Sequence, residues 1–273
     1  MNSTQPNYRL LQRDVIVVAL LALAAAAWAA IVWQRALIHT DMTTTLPAVG
    51  ARALLFLAAW VLMMVAMKFP TVTLMVLAFH RVQASKYKLN RAFIATWVFV
   101  ATYLLVWAFA GLVVFVGVLL YEGGRVMRTS ANTAQLGGLI MLAAGMYQLT
   151  PLKEACLEKC RAHTDFITSA WRDGIIGAFR MGLLYGVYCV GSSWLLFVIL
   201  FPLGMGVGTM ALVTFIILAE KTSPWPRLVS YATAVALVLY GAPMITSPQL
   251  LPASQQPGGS VMPAELPMTM PGK

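Results

Sequence analysis

The sequence predicts an all-α protein, a polytopic bundle of transmembrane helices, and three observations carry that expectation. Of its 273 residues 60% are hydrophobic and only 10% are charged, with a mean hydropathy of +0.79, well outside the usage of a soluble domain. Several apolar runs have the roughly 20 residues needed to cross the hydrocarbon. Most of the charged residues collect in the short connections between those runs.

Seven spans are expected in order, at residues 15–38, 52–79, 92–120, 135–149, 174–200, 205–218 and 228–245. The first, in RDVIVVALLALAAAAWAA, resembles a signal peptide. Its apolar run continues through IVW beyond the length of a signal core, so it reads as a retained helix. The second contains WVLMMVAMKFP, which puts Trp60, Met63, Met64 and Met67 on one face and Lys68 inside the apolar run. An intramembrane lysine is costly unless it snorkels or faces a polar cavity. Pro70 has no N–H to offer Ala66, which frees that carbonyl for another donor. The fourth and sixth runs are the shortest.

Between the fourth and fifth runs stands YQLTPLKEACLEKCR, residues 147–161. Thr150 suits an N-cap and Pro151 a first helical turn, which predicts a short cytoplasmic surface helix. On that helix Cys156 and Cys160 lie one turn apart on one face, flanked by Leu152 and Leu157, and open to modification. The fifth run places Met181, Tyr185, Cys189, Ser192 and Ser193 on one broad face, with Gly174, Ala178, Gly182 and Gly186 on a neighbouring face where another helix can approach closely. Past the seventh run the chain is too rich in Pro, Gly and Ser to pack. The domain organisation is therefore a cytoplasmic N-terminal segment at 1–14, a seven-helix transmembrane domain at 15–246 and a disordered Pro/Met-rich tail at 247–273.

Orientation follows from the basic residues of the short loops. One side collects twelve of them, from Arg9 and Arg13 through Lys153, Lys159 and Arg161 to Lys221 and Arg227, and the other only Arg35, Arg52, Arg125, Arg128 and Lys273. The N-terminus is expected in the cytoplasm and the C-terminus outside, in the inner (plasma) membrane. Contact of these cations with anionic headgroups accounts for the formal net charge of +10, so the expected partner is the lipid bilayer and not nucleic acid.

Chemistry is sparse. His39, His80 and His163 are isolated, no catalytic triad or phosphate-binding loop is present, and the seventh run lacks the lysine that a retinal Schiff base needs. On the reducing cytoplasmic side Cys156 and Cys160 are not expected to form a structural disulfide. They read either as small apolar fillers or as a thiol pair for a soft metal or for redox exchange.

The combination of WVLMMVAMKFP, YQLTPLKEACLEKCR, GLLYGVYCVGSSWLLF and the Glu220-Lys221 pair resembles the DUF2182 family, described as predicted metal-binding integral membrane proteins. The likeness covers roughly residues 50 to 222. The family pattern has a Met pair where this chain has Met67 and Lys68, and Cys-Cys-Trp where it has Ser192, Ser193 and Trp194, so the chain reads as a divergent member with fewer soft ligands. What the resemblance implies is a copper site of Cys189, Met63 and Met67, with Cys156 and Cys160 near its cytoplasmic mouth. Three functions stay open: handling of a soft metal such as copper, with a soluble metal-binding partner; a non-catalytic subunit or assembly partner of a larger membrane complex; and a redox enzyme using Cys156 and Cys160. The i,i+4 spacing of those two cysteines argues against the third.

Overall fold

The computed structural model describes residues 5–37, 49–123 and 130–246, and among these the regular structure is helical. Three long helices come first: α1 Gln5–Leu37, α2 Val49–Lys86 and α3 Leu89–Gly123. They are followed by α4 Ser130–Gln148, α5 Pro151–Arg161, α6 His163–Ala170, α7 Gly174–Val198, the single turn α8 Leu200–Leu203, α9 Val207–Thr222 and α10 Pro226–Thr246. α1 begins within the segment expected to precede the first helix. The tail with Met262, Met268 and Met270 lies outside the described residues, as do His39, Arg125 and Arg128.

Five segments of the described residues are long and apolar enough to cross a bilayer: Leu11–Gln34, Gly50–Lys86, Asn90–Leu120, Gly174–Leu203 and Pro226–Thr246. By length and composition, five of the seven expected runs meet that requirement. The runs that drop out are the two shortest. Ser, Asn, Thr and Gln dilute the apolar character of α4, and the 16 residues of α9 rise only about 24 Å.

The helices lock together through side chains that the sequence marks. Trp28 of α1 donates its indole N–H to the Ala66 carbonyl at 3.0 Å, filling the position that Pro70 leaves open in α2. Trp60 of α2 donates to the Trp107 carbonyl of α3 at 2.9 Å. α3 and α7 run parallel, since Gly182 faces Phe99 and Thr102 while Gly186 faces Val106. A Cβ on Gly182 would lie 2.6 Å from the Phe99 carbonyl oxygen, so this seam depends on the small residues predicted for it. Gly174 has no part in the seam; it starts α7 at φ +78°. α4 runs antiparallel to α10, with Gly138 on Gly241 and Gly145 on Ala234, and antiparallel to α7 and the α8 turn that follows it, with Tyr147 on Gly191 of α7 and Gly137 on Pro202 of α8.

The short helix α5 has the predicted start: the Thr150 side chain accepts from the Lys153 backbone N–H and Pro151 occupies the first turn. Its placement differs from a free surface helix. Lys153, Leu157 and Cys160 form a buried face, spaced i, i+4, i+7, which packs between α7 and α9. Leu152, on the other face, is exposed.

Candidate functional site

The buried polar groups of the bundle converge on Cys189, near the middle of α7. The face predicted for this helix is buried along its length, at Met181, Tyr185, Cys189, Ser192 and Ser193. Three side chains from three other helices reach the Cys189 sulfur. Lys221 of α9 donates to it at 3.1 Å, the Tyr103 hydroxyl of α3 lies 3.2 Å away, and the Cys160 thiol of α5 is near enough to interact with it electrostatically. An ammonium has donors and no acceptor, so at the Lys221 contact the sulfur accepts. The interaction with Cys189, followed by burial, pushes the Cys160 thiol well up from its ordinary range.

Cys160 is held from several sides. Its sulfur lies 3.9 Å from the Ser192 hydroxyl, and its carbonyl accepts from Tyr185 at 3.4 Å. Farther along α5, Lys153 forms a buried ion pair with Glu220 at 2.5 Å and donates to Ser230 at 3.1 Å. Arg161 donates to the carbonyls of Glu220 and Ser223, both at 2.6 Å, satisfying the last turn of α9. Burial pushes the Lys153 ammonium down from its ordinary value, and Glu220 opposes that shift. The adjacent pair Glu220-Lys221 thus has two tasks. Glu220 fastens α5 to α9, and Lys221 points at the sulfur.

α2 contributes Lys68. Its ammonium donates to Ser193 at 2.7 Å and sits over the rings of Trp107, 4.3 Å from the centroid, and Phe197, at 4.6 Å. The hydroxyl and the two π faces solvate a cation that no water reaches. Lys68 and Ser193, two of the three positions at which the resemblance implied soft ligands, are therefore in contact with each other.

Of the residues singled out in the sequence, Cys160 and Cys189 are brought together. Cys156 is half-buried one turn along α5 and packs on Gly191, where a Cβ would come within 2.7 Å of its sulfur. Met63 and Met67 are buried in the α2 core beside Trp60 and Met64. Cys160 is fully buried, which corrects the expectation that both α5 thiols are open to modification. The reason is tertiary: the face of α5 that carries Leu157 and Cys160 is covered by α7. In the folded protein a maleimide reagent should label Cys156 and spare Cys160 and Cys189, and all three should react after denaturation. Single-cysteine variants read by mass shift check this.

The sequence reading left Tyr103 out, because nothing in an apolar helix distinguishes it. Lys153 and Lys221 were legible as cations but were assigned to headgroups; both are buried. His80 is occupied by Thr96 at 3.1 Å. A cavity of about 590 Å³ opens beside the Lys153–Glu220 pair, lined by Gln148, Trp225, Arg227 and Tyr231 among others, and none of the three thiols lines it. No group of three or more His, Cys, Asp or Glu side chains able to share an ion occurs among the described residues. That leaves no tetrahedral site of zinc type among them. Two neighbouring buried thiols, Cys160 and Cys189, remain, a donor set suited to a soft cation.

The PpoB2 family model, described as a copper chaperone, matches residues 57–244; it and DUF2182 are one family. No curated protein and no solved structure matches the chain.

Proposed function

We propose a copper-handling function from the premise that this chain belongs to the PpoB2 copper chaperone family. The cargo is Cu(I), held between Cys160 and Cys189 inside a membrane-embedded helical bundle. The observation that carries this reading is the proximity of those two buried thiols, Cys189 on α7 and Cys160 on α5, the latter helix fastened to α9 by the Lys153–Glu220 pair. Thiolate sulfur favours Cu(I), and burial keeps it from water and oxidants. Cys156, half-buried and one turn away, is the thiol by which copper enters from the cytoplasmic side or leaves toward a soluble partner. Met63 and Met67 serve as nearby soft groups in the α2 core.

The membrane reading returns to seven crossings. α3 and α7 run parallel, which requires a return between them, and α4 has the direction for it; α9 does the same between α7 and α10. With the basic residues at the α2–α3, α5–α6 and α9–α10 ends, the N-terminus is cytoplasmic and the C-terminus lies outside the plasma membrane.

The Lys68–Ser193 contact favours a second reading, that of a divergent member acting as a non-catalytic subunit or assembly partner that has lost the full metal site. Titration of the purified, solubilised protein with Cu(I) under reducing conditions, against a competing chelator, separates the two. The copper reading expects one Cu(I) per chain, and a loss of affinity in Cys160→Ser and Cys189→Ser that exceeds the roughly 10–100-fold effect of outer-shell changes. Equal, weak binding by all three proteins would leave the assembly reading.

A further inference from the structure

The buried charges around the thiol pair do not match those of an ordinary soft-metal site. Lys221 donates to Cys189 at 3.1 Å. Lys68 donates at 2.7 Å to Ser193, one helical turn from Cys189 on the same buried face, and lies within electrostatic reach of both thiols. Glu220, the carboxylate next to Lys221 in sequence, is already paired with Lys153. Two thiolates and two ammonium groups sum to zero. A bound monovalent ion leaves one unit of buried charge and a divalent ion leaves two, and the cost of burying charge grows as its square.

Resting on the copper reading above, we infer that Lys221 and Lys68 select the cargo by charge: the pair of Cys160 and Cys189 admits a soft monovalent cation and turns away a soft divalent one. Softness alone cannot make that distinction, since cadmium and silver both favour sulfur. Coordination number adds to the selection. Lys221 takes one approach to the Cys189 sulfur and Tyr103 another. The sulfur is left with room for an ion shared with Cys160 and little for the fuller ligand shell of a divalent metal.

The probes are Ag(I), a redox-stable monovalent ion, and Cd(II), each titrated into the full-length protein in detergent and read by ultraviolet thiolate-to-metal absorption and bound-metal analysis. Wild-type protein should take one Ag(I) per chain that excess Cd(II) does not displace. Lys221→Leu and Lys68→Leu each remove a charge without adding a soft ligand, and each should narrow the Ag(I) over Cd(II) preference by about tenfold or more. The two variants lie on different helices, so a folding failure in one leaves the other as the test. An unchanged preference, with Ag(I) still dependent on Cys160 and Cys189, overturns charge selection and leaves the copper site standing. Ag(I) binding that ignores Cys160→Ser and Cys189→Ser overturns the site itself.

Discussion

Glu220→Leu should destabilise the protein by about 3–5 kcal/mol, the range for breaking a buried pair by removing one partner. Both side chains of the pair are 2% exposed, and Lys153 would keep only its contact to Ser230. The charge left behind forces α5 either to carry a buried, unpaired lysine or to swing out. In the second case Cys160 leaves Cys189 and becomes reactive toward maleimide. Unfolding by sodium dodecyl sulfate in mixed micelles measures the loss, and labelling of Cys160 measures the detachment. Combining Lys153→Met with Glu220→Leu should recover most of the stability, since an apolar pair of similar volume fills the same space. If the double variant is as unstable as Glu220→Leu alone, the ion pair is not what fastens α5.

The second large effect concerns metal affinity. Lys68→Met, Ser192→Cys and Ser193→Cys together should tighten Cu(I) binding by about tenfold or more, because thioether and thiolate ligands replace an ammonium and two hydroxyls. The geometry makes the three changes act as a set. Lys68 and Ser193 touch at 2.7 Å, and Ser192 lies 3.9 Å from the Cys160 sulfur. Competition against a chelator of known affinity checks the outcome, and an unchanged affinity would remove the Ser192–Ser193 turn of α7 from the binding surface.

Much of the fold was legible because local rules govern it. Hydropathy marked the long helices, Thr150 and Pro151 marked the start of α5, and Gly182 and Gly186 marked the face on which α3 lies. Pro70 even pointed to the carbonyl that Trp28 occupies. The pairing of Cys160 with Cys189 was not legible, because it depends on α5 docking antiparallel against α7 at one particular height. Spacing drew attention to Cys156 and Cys160 as neighbours, whereas packing joins Cys160 to a residue 29 positions away. The lysines misled for a related reason. A loop lysine counts toward membrane orientation wherever it points, and the sequence does not show that Lys153 meets Glu220 or that Lys221 turns inward to sulfur.

The Lys153–Glu220 pair also sets an order of events during biosynthesis. The two residues are 67 positions apart, so at roughly 5–20 residues per second the ribosome makes Glu220 some 3–13 s after Lys153. For those seconds Lys153 lacks the carboxylate it meets in the folded protein, so the fastening of α5 to α9 completes only once α9 has been made. Lys221 follows Glu220 in the very next residue, so the fastener of α5 and the cation at the Cys189 sulfur arrive together.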